Sequence, residues 1–109
     1  MKKFIALYYN SGGQQAAPPT MTEAEQAAML APWKVWNAKY GDQIVDLGAP
    51  LTPASASHDG DSWSGSANTV SGFSIVRADS LEAAREMFVG HPIYNYPGQS
   101  IEISEFGPM

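Results

Sequence analysis

One stretch decides the fold: Val70-Ser-Gly-Phe-Ser-Ile-Val-Arg77, an apolar run that leads into the start of a helix. Its spacing predicts a strand with Phe73 and Ile75 on one face and with Val70 and Val76 on the other. The rest of the chain repeats this strand–helix theme once and adds one closing strand. The architecture of the whole chain can therefore be built outward from this point.

A helix is predicted directly after this strand. Asp79 and Glu82 lie three residues apart, which is the spacing of a capping box at a helix start. The helix places Leu81, Ala84 and Phe88 at positions i, i+3 and i+7, so they form one apolar stripe. We expect this stripe to face the core.

The first half of the chain contains the other strand–helix unit. Phe4-Ile-Ala-Leu-Tyr-Tyr9 is apolar on both faces, which is typical of a central strand that is covered on both sides. Thr22 and Glu25 form a second capping-box pattern, and Gly41 is a natural end for the helix that begins there. Pro32 lies inside this helix and predicts either a kink or a division into two pieces.

The remaining segments are short strands and connections. Ile44–Leu47 predicts the second strand, and Ser100–Phe106 alternates as the last strand, with Ile101 and Ile103 inward. The Pro-, Ser-, Asp- and Gly-rich segment 48–66 predicts a long hairpin connection. The segment 10–20 is long for a strand–helix connection, which is compatible with a lid or with disorder.

The predicted order of elements is β-α-β-β-α-β, two split β-α-β units in a single α+β domain spanning residues 1–109. Right-handed crossovers place the third strand between the first two, giving an antiparallel sheet in the order 4-1-3-2 with two helices on one face. Because two helices cover only one face, apolar residues of the first strand remain on the other. We therefore expect a homodimer in which two sheets stack.

Composition excludes several classes of function. The net charge is −5 with only six Lys and Arg, which argues against nucleic-acid binding. The chain has no cysteine, so it has no disulfides, as is typical of cytoplasmic proteins. No apolar run has the length of a membrane span. The glycines of Ser11-Gly12-Gly13 lack the spacing of a phosphate-binding loop, and we expect no cofactor.

A set of residues spread over nearly the whole chain forms a fold-level pattern: Phe4–Tyr9, Met29, Trp33, Gly41, Gly72–Val76, Ser80–Ala84, Pro92 and Ser100–Ile103. In these residues the chain resembles the YCII-related family, although none of them is a catalytic signature. The resemblance implies a ferredoxin-like fold in its dimeric α/β-barrel form, with a homodimer through the open sheet face.

Two departures from this family concern its functional motifs. The DGPF subgroup has Asp-Gly-Pro-Phe in the hairpin, whereas this chain has only His58-Asp-Gly-Asp61 there. Other members have a His on the first helix and an Asp before the proline that follows the second helix. Here that proline is preceded by His91, and the first helix has no histidine. The resemblance therefore does not carry a His–Asp pair over to this chain.

The main candidate site is an aromatic stripe on the first helix. Large side chains recur at helical spacing in the order Met29, Trp33, Trp36 and Tyr40. Such a stripe is either plain core or one wall of a pocket between the helix and the sheet. In the second case the other wall would be Tyr8 or Phe73, with His91 and Tyr94 as a polar rim.

Histidines and carboxylates offer weaker candidates. His91 follows a helix and precedes a proline, so it is either a helix cap or rim residue or a general base near neutral pH. His58, Asp59 and Asp61 lie in a hydrophilic turn whose spacing matches no standard metal site, and we expect a solvated loop without a metal.

These observations support three hypotheses. The first is a small-molecule binding protein for an aromatic or apolar ligand, with a pocket lined by Tyr8, Trp33, Trp36, Phe73 and Tyr94. The alternative is a cofactor-independent enzyme (an isomerase, lyase or oxygenase) with His91 as acid or base, by analogy with other dimeric α/β barrels. The third is a dimerising accessory domain.

Overall fold

The structure is a computed structural model that describes residues 1–10, 22–51, 55–65, 69–95 and 98–108. The predicted loop 10–20 lies outside these ranges except for its first residue. The strands are β1 (Lys2–Asn10), β2 (Ile44–Asp46), β3 (Ala56–His58), β4 (Trp63–Gly65), β5 (Val70–Ala78) and β6 (Gln99–Glu105). The helices are α1 (Glu23–Tyr40) and α2 (Leu81–Met87), with short 3-10 turns at Gly41–Gln43 and Pro92–Asn95.

Four strands form the main sheet in the order β2-β5-β1-β6, and neighbouring strands are antiparallel. The long central pair, β1 and β5, aligns Phe4 with Val76 and Tyr8 with Gly72. This arrangement confirms the predicted α+β class and is compatible with a ferredoxin-like fold.

The core lies between one face of this sheet and the two helices. Its buried apolar side chains come from β1, β5, both helices and the turn after α2: Phe4, Ala6, Tyr8, Trp36, Val76, Ala78, Ala84, Met87, Phe88 and Ile93. The indole nitrogen of Trp36 donates a hydrogen bond of 2.7 Å to the carbonyl oxygen of Met87, which joins α1 to the end of α2. This bond fixes the two helices on the same face.

The other face of the sheet is also apolar at its centre. Ile5 pairs with Ile75 and Leu7 pairs with Phe73, and all four are half-buried. A register shift between Tyr8 and Tyr9 pairs Tyr9 with Val70. Because paired residues share a face, Val70 joins this group, and the prediction that it lies with Val76 is wrong.

Helix α1 begins at the predicted capping box. The hydroxyl of Thr22 accepts a 3.1 Å hydrogen bond from the backbone N–H of Glu25, whose carboxylate accepts in return from the backbone of Thr22. The helix continues through Pro32 in one piece, so the predicted division is wrong, and it ends at Gly41 with a φ of 54°. Within the described ranges, neither helix is long and apolar enough to cross a membrane.

Helix α2 begins one residue later than its capping-box pattern predicts. The cap is Ser80, whose hydroxyl accepts a 3.1 Å hydrogen bond from the backbone of Ala83, whereas Asp79 is exposed. The helix buries Ala84 and Met87, and Phe88 at its end is also buried, whereas Leu81 is 48% exposed. The prediction that Leu81 lies on the buried stripe is wrong.

Candidate ligand-binding cavity

A cavity of about 270 Å³ lies between α1 and the ends of the central strands. Helix α1 contributes Met29, Leu30 and Trp33, and Tyr8 comes from the end of β1. Most of the lining is apolar or aromatic, and Ser71 is one of its few polar residues. Apolar walls with a few polar groups are typical of small-molecule sites.

One wall of the cavity is the segment 47–50, which continues past the end of β2 along β5. Gly48 brings this segment close to β5, because it has a φ of +85° and its amide donates a 2.8 Å hydrogen bond to the side chain of Asp46. A Cβ at this position would lie only 1.6 Å from the carbonyl oxygen of Phe73. Further along, Pro50 forms an isolated bridge with Gly72. This close approach of the segment to β5 therefore requires glycine at position 48.

Small residues on β5 leave room for the ring of Tyr8. Gly72 pairs with Tyr8, and a Cβ on Gly72 would lie 3.3 Å from the Cδ2 atom of that ring. The Tyr8 hydroxyl donates a 2.6 Å hydrogen bond to the Ser74 oxygen, and Ser74 donates a 2.6 Å bond to the carbonyl of Leu47. Burial raises the pKa of Tyr8, so the phenol stays neutral at ordinary pH.

His91 lies beneath the cavity and is only 1% exposed. Its Nδ1 atom accepts a 3.0 Å hydrogen bond from the backbone N–H of Ile93. We therefore assign the neutral ring a hydrogen on Nε2, which lies 3.3 Å from the Tyr8 oxygen and donates to it. Burial lowers the pKa of His91 to about 4. The imidazole is accordingly uncharged near neutral pH, and both of its nitrogens are in use.

Four aromatic rings enclose this imidazole. The centroid of the His91 ring lies 5.3 Å from that of Tyr8, 4.7 Å from Trp33, 4.5 Å from Trp36 and 5.3 Å from Phe88. The contacts with the two tryptophans are edge-on, a favourable arrangement for aromatic rings. His91 thus supports Tyr8 and Trp33 from behind while they line the cavity.

The structure brings together only part of the predicted pocket. Tyr8 and Trp33 line the cavity and meet edge-on at 5.7 Å between ring centroids. Phe73 borders the cavity, but its register with Leu7 places its side chain on the opposite face of the sheet from Tyr8. The cavity therefore meets the backbone of Phe73, which corrects the prediction of an aromatic wall there.

Two predicted pocket residues lie elsewhere. Trp36 is buried in the core, hydrogen-bonded to Met87 and packed against His91, and it does not line the cavity. Tyr94 is 53% exposed and borders a different groove, together with Arg85. The prediction that Tyr94 and His91 form the polar rim of the cavity is therefore wrong. Tyr94 borders the other groove, and His91 is buried beneath the cavity wall.

The polar residues that line the cavity differ from the predicted His91 and Tyr94. Ser71 and Gln99 line the cavity, and their side chains are 3.0 Å apart. The signals that bring them together are a register shift in β5 and the pairing of β6 with β1, which no local pattern reveals. These two residues supply the polar chemistry of the site.

The candidate metal turn is an ordinary solvated loop between β3 and β4. The Oδ1 atom of Asp59 accepts 2.9 Å hydrogen bonds from the backbone of Asp61 and Ser62, which hold the pKa of Asp59 below its usual value. Glycine at position 60 has a φ of 99° and donates to Nδ1 of His58. Within the part of the chain that the structure describes, no group of His, Asp and Glu side chains could hold a metal ion.

Comparisons with known proteins give no information about the function of this site. A scan of the chain against models of protein families gives no match, and a search among curated proteins finds no relative. The resemblance to the YCII-related family therefore stays a prediction from the residues that carry it. What the site can do has to be argued from its walls, its polar groups and its charges.

Proposed function

We propose that this protein binds a small aromatic or apolar molecule in the cavity between α1 and the sheet. The observation that carries the proposal is the cavity of about 270 Å³, whose walls include Trp33 from α1 and the buried Tyr8 from β1. This volume is slightly below the usual range for ligand pockets, roughly 300–1,000 Å³, so a compact ligand fits best.

Binding is favoured over acid–base catalysis by the contacts of His91. A general base needs a free lone pair within reach of the substrate. The lone pair of Nδ1 is occupied by the N–H of Ile93, the Nε2 hydrogen points to Tyr8, and the ring lies beneath the cavity wall. No carboxylate, amine or imidazole occurs among the described residues that line the cavity. The enzyme alternative with His91 as acid or base thus lacks a supporting contact.

The binding experiment is an NMR titration with indole, a flat molecule of suitable size. We expect the amide resonances of Trp33 and Ile93 to shift, and we expect Trp33→Ala to weaken binding about tenfold through the lost apolar contact. Trp63→Ala is the matched control, because Trp63 is 72% exposed on the separate β3–β4 hairpin. Shifts that cluster away from the cavity, or a Trp33→Ala variant that binds like wild type, would refute the proposal.

We also propose that the open sheet face forms a homodimer, as in dimeric α/β barrels of the ferredoxin-like kind. Support comes from the apolar centre of that face, where Ile5, Leu7 and Ile75 lie together. Ile75→Glu should give a particle of 11.7 kDa by light scattering, whereas Val35→Glu on the exposed side of α1 should leave a particle of twice that mass. A wild-type monomer would refute the dimer.

The predicted cytoplasmic location stays a prediction from the absence of cysteine.

A further inference from the structure

The polar part of the cavity is a pair of uncharged side chains. Gln99 is the first residue of β6, and Ser71 lies near the start of β5; both line the cavity. Ser71 also lies beside the end of β1, where its hydroxyl is 3.2 Å from the carbonyl oxygen of Tyr8. The pair therefore lies where three strands of the sheet meet.

Ser71 holds the amide of Gln99 in one orientation. Of the two acceptors near the serine hydroxyl, Oε1 of Gln99 at 3.0 Å is closer than the carbonyl of Tyr8, so the hydroxyl donates to Oε1 and uses one of its two lone pairs. The Nε2 atom of Gln99 has no partner among the described residues. Since Gln99 is half-buried at the cavity, this leaves two N–H donors for a bound molecule.

Charge narrows the ligand class further. None of the described lining residues carries a charge, so a carboxylate, phosphate or ammonium group would enter the cavity without a partner. Burying an unpaired charge is strongly unfavourable. The net charge of −5 adds long-range repulsion for anions.

We propose that Gln99 is the group that selects the ligand, and that the ligand is an uncharged, flat aromatic molecule with a hydrogen-bond acceptor such as a ketone oxygen. The apolar walls bind the ring, and the Nε2 hydrogens of Gln99 bind the acceptor. Ser71 is the positioning residue that keeps the amide turned toward it. This inference rests on the proposed binding function and adds the chemical class of the ligand.

Three molecules of nearly the same shape test it. Acetophenone carries a ketone oxygen, α-methylstyrene replaces that oxygen by carbon, and benzoate carries a charge. Each is titrated into ¹⁵N-labelled protein, first wild type and then the shape-conserving variant Gln99→Met. The matched control is Gln43→Met, because Gln43 lies outside the cavity and donates to the carbonyl of Arg77.

We expect acetophenone to shift the side-chain amide resonance of Gln99. Gln99→Met should weaken the binding of acetophenone about fivefold relative to that of α-methylstyrene, which corresponds to one net hydrogen bond. Gln43→Met should leave the ratio of the two affinities unchanged. Benzoate should bind at least about tenfold more weakly than acetophenone because its charge has no partner.

The outcomes separate this inference from the proposed function. If acetophenone and α-methylstyrene both bind at the cavity but Gln99→Met changes them equally, the role of Gln99 is overturned and the binding function stands. Benzoate binding as tight as that of acetophenone would overturn the uncharged class. If none of the three molecules, nor indole, shifts cavity resonances, the proposed function and this inference both fall.

Discussion

Mild acidification is the perturbation that tests the buried histidine network most directly. His91 is 1% exposed, accepts from Ile93 and donates to Tyr8, so protonation would break the first bond and place an unpaired charge among aromatic rings. Its pKa is lowered to about 4 in the folded protein by burial, compared with a usual value of 6.5. The unfolded chain therefore takes up this proton at a higher pH than the folded chain.

The sign and the size of the effect follow from proton linkage. Between the two pKa values the unfolded state binds one proton more, so the free energy of unfolding falls as the pH falls. The contribution of His91 to the free energy of unfolding is fully present above the pKa that this histidine has in the unfolded chain. It falls by about 2 kcal/mol on acidification to about pH 5, and the whole shift corresponds to about 3 kcal/mol.

The assay is urea unfolding, followed by tryptophan fluorescence at one fixed protein concentration across this pH range. His91→Gln should have a much flatter pH dependence, and His58→Gln, which alters an exposed histidine, should follow wild type. An NMR titration of wild type measures the pKa of His91 independently of any variant. A flat wild-type curve, or an unchanged slope in His91→Gln, would refute the reasoning.

Two predictions concern local structure, and urea unfolding measures both. Gly48→Ala should destabilise the protein by more than about 3 kcal/mol, because its Cβ would overlap the carbonyl of Phe73, whereas Gly41→Ala, in open space at a φ of +54°, should lose only about 1 kcal/mol. Similar losses at both positions would contradict this explanation. Ser80→Ala should lose about 1 kcal/mol through the missing cap and Asp79→Ala less than about 0.5 kcal/mol. The reverse order would identify Asp79 as the cap.

The secondary structure was largely predictable because local chemistry determines it. The Thr22–Glu25 pattern begins α1 at the expected residue, and the apolar run after Lys3 forms a central strand. At α2 two candidate caps are adjacent, and the sequence pattern favours Asp79 because Glu82 completes a box with it. The helix instead uses Ser80. Of the predicted stripe, Ala84 and Phe88 are buried, and only Leu81, in the first turn, is exposed.

The cavity was only half predictable because a strand pattern does not say which face meets the helices. The larger side chains of β5, Phe73 and Ile75, attract attention, but they point away from the helices. The face that forms the cavity carries the small residues Gly72 and Ser74 instead. Their small volume leaves room for the ring of Tyr8 and supplies the hydroxyl that its phenol needs. On β5, the small residues indicate the position of the cavity better than the aromatic residue Phe73 does.

The buried hydrogen bonds also connect parts of the wall that are distant in sequence. They run from the N–H of Ile93 to His91, then to Tyr8, to Ser74 and to the carbonyl of Leu47. Ile93, Tyr8 and Leu47 all line the cavity, so this series of hydrogen bonds holds three parts of the cavity wall in fixed positions relative to one another. Protonation of His91 during acid–base catalysis would break the hydrogen bond from Ile93 and release the imidazole ring that supports Tyr8. The same hydrogen bonds that make His91 a poor base therefore make it a good support for a binding site whose shape does not change near neutral pH.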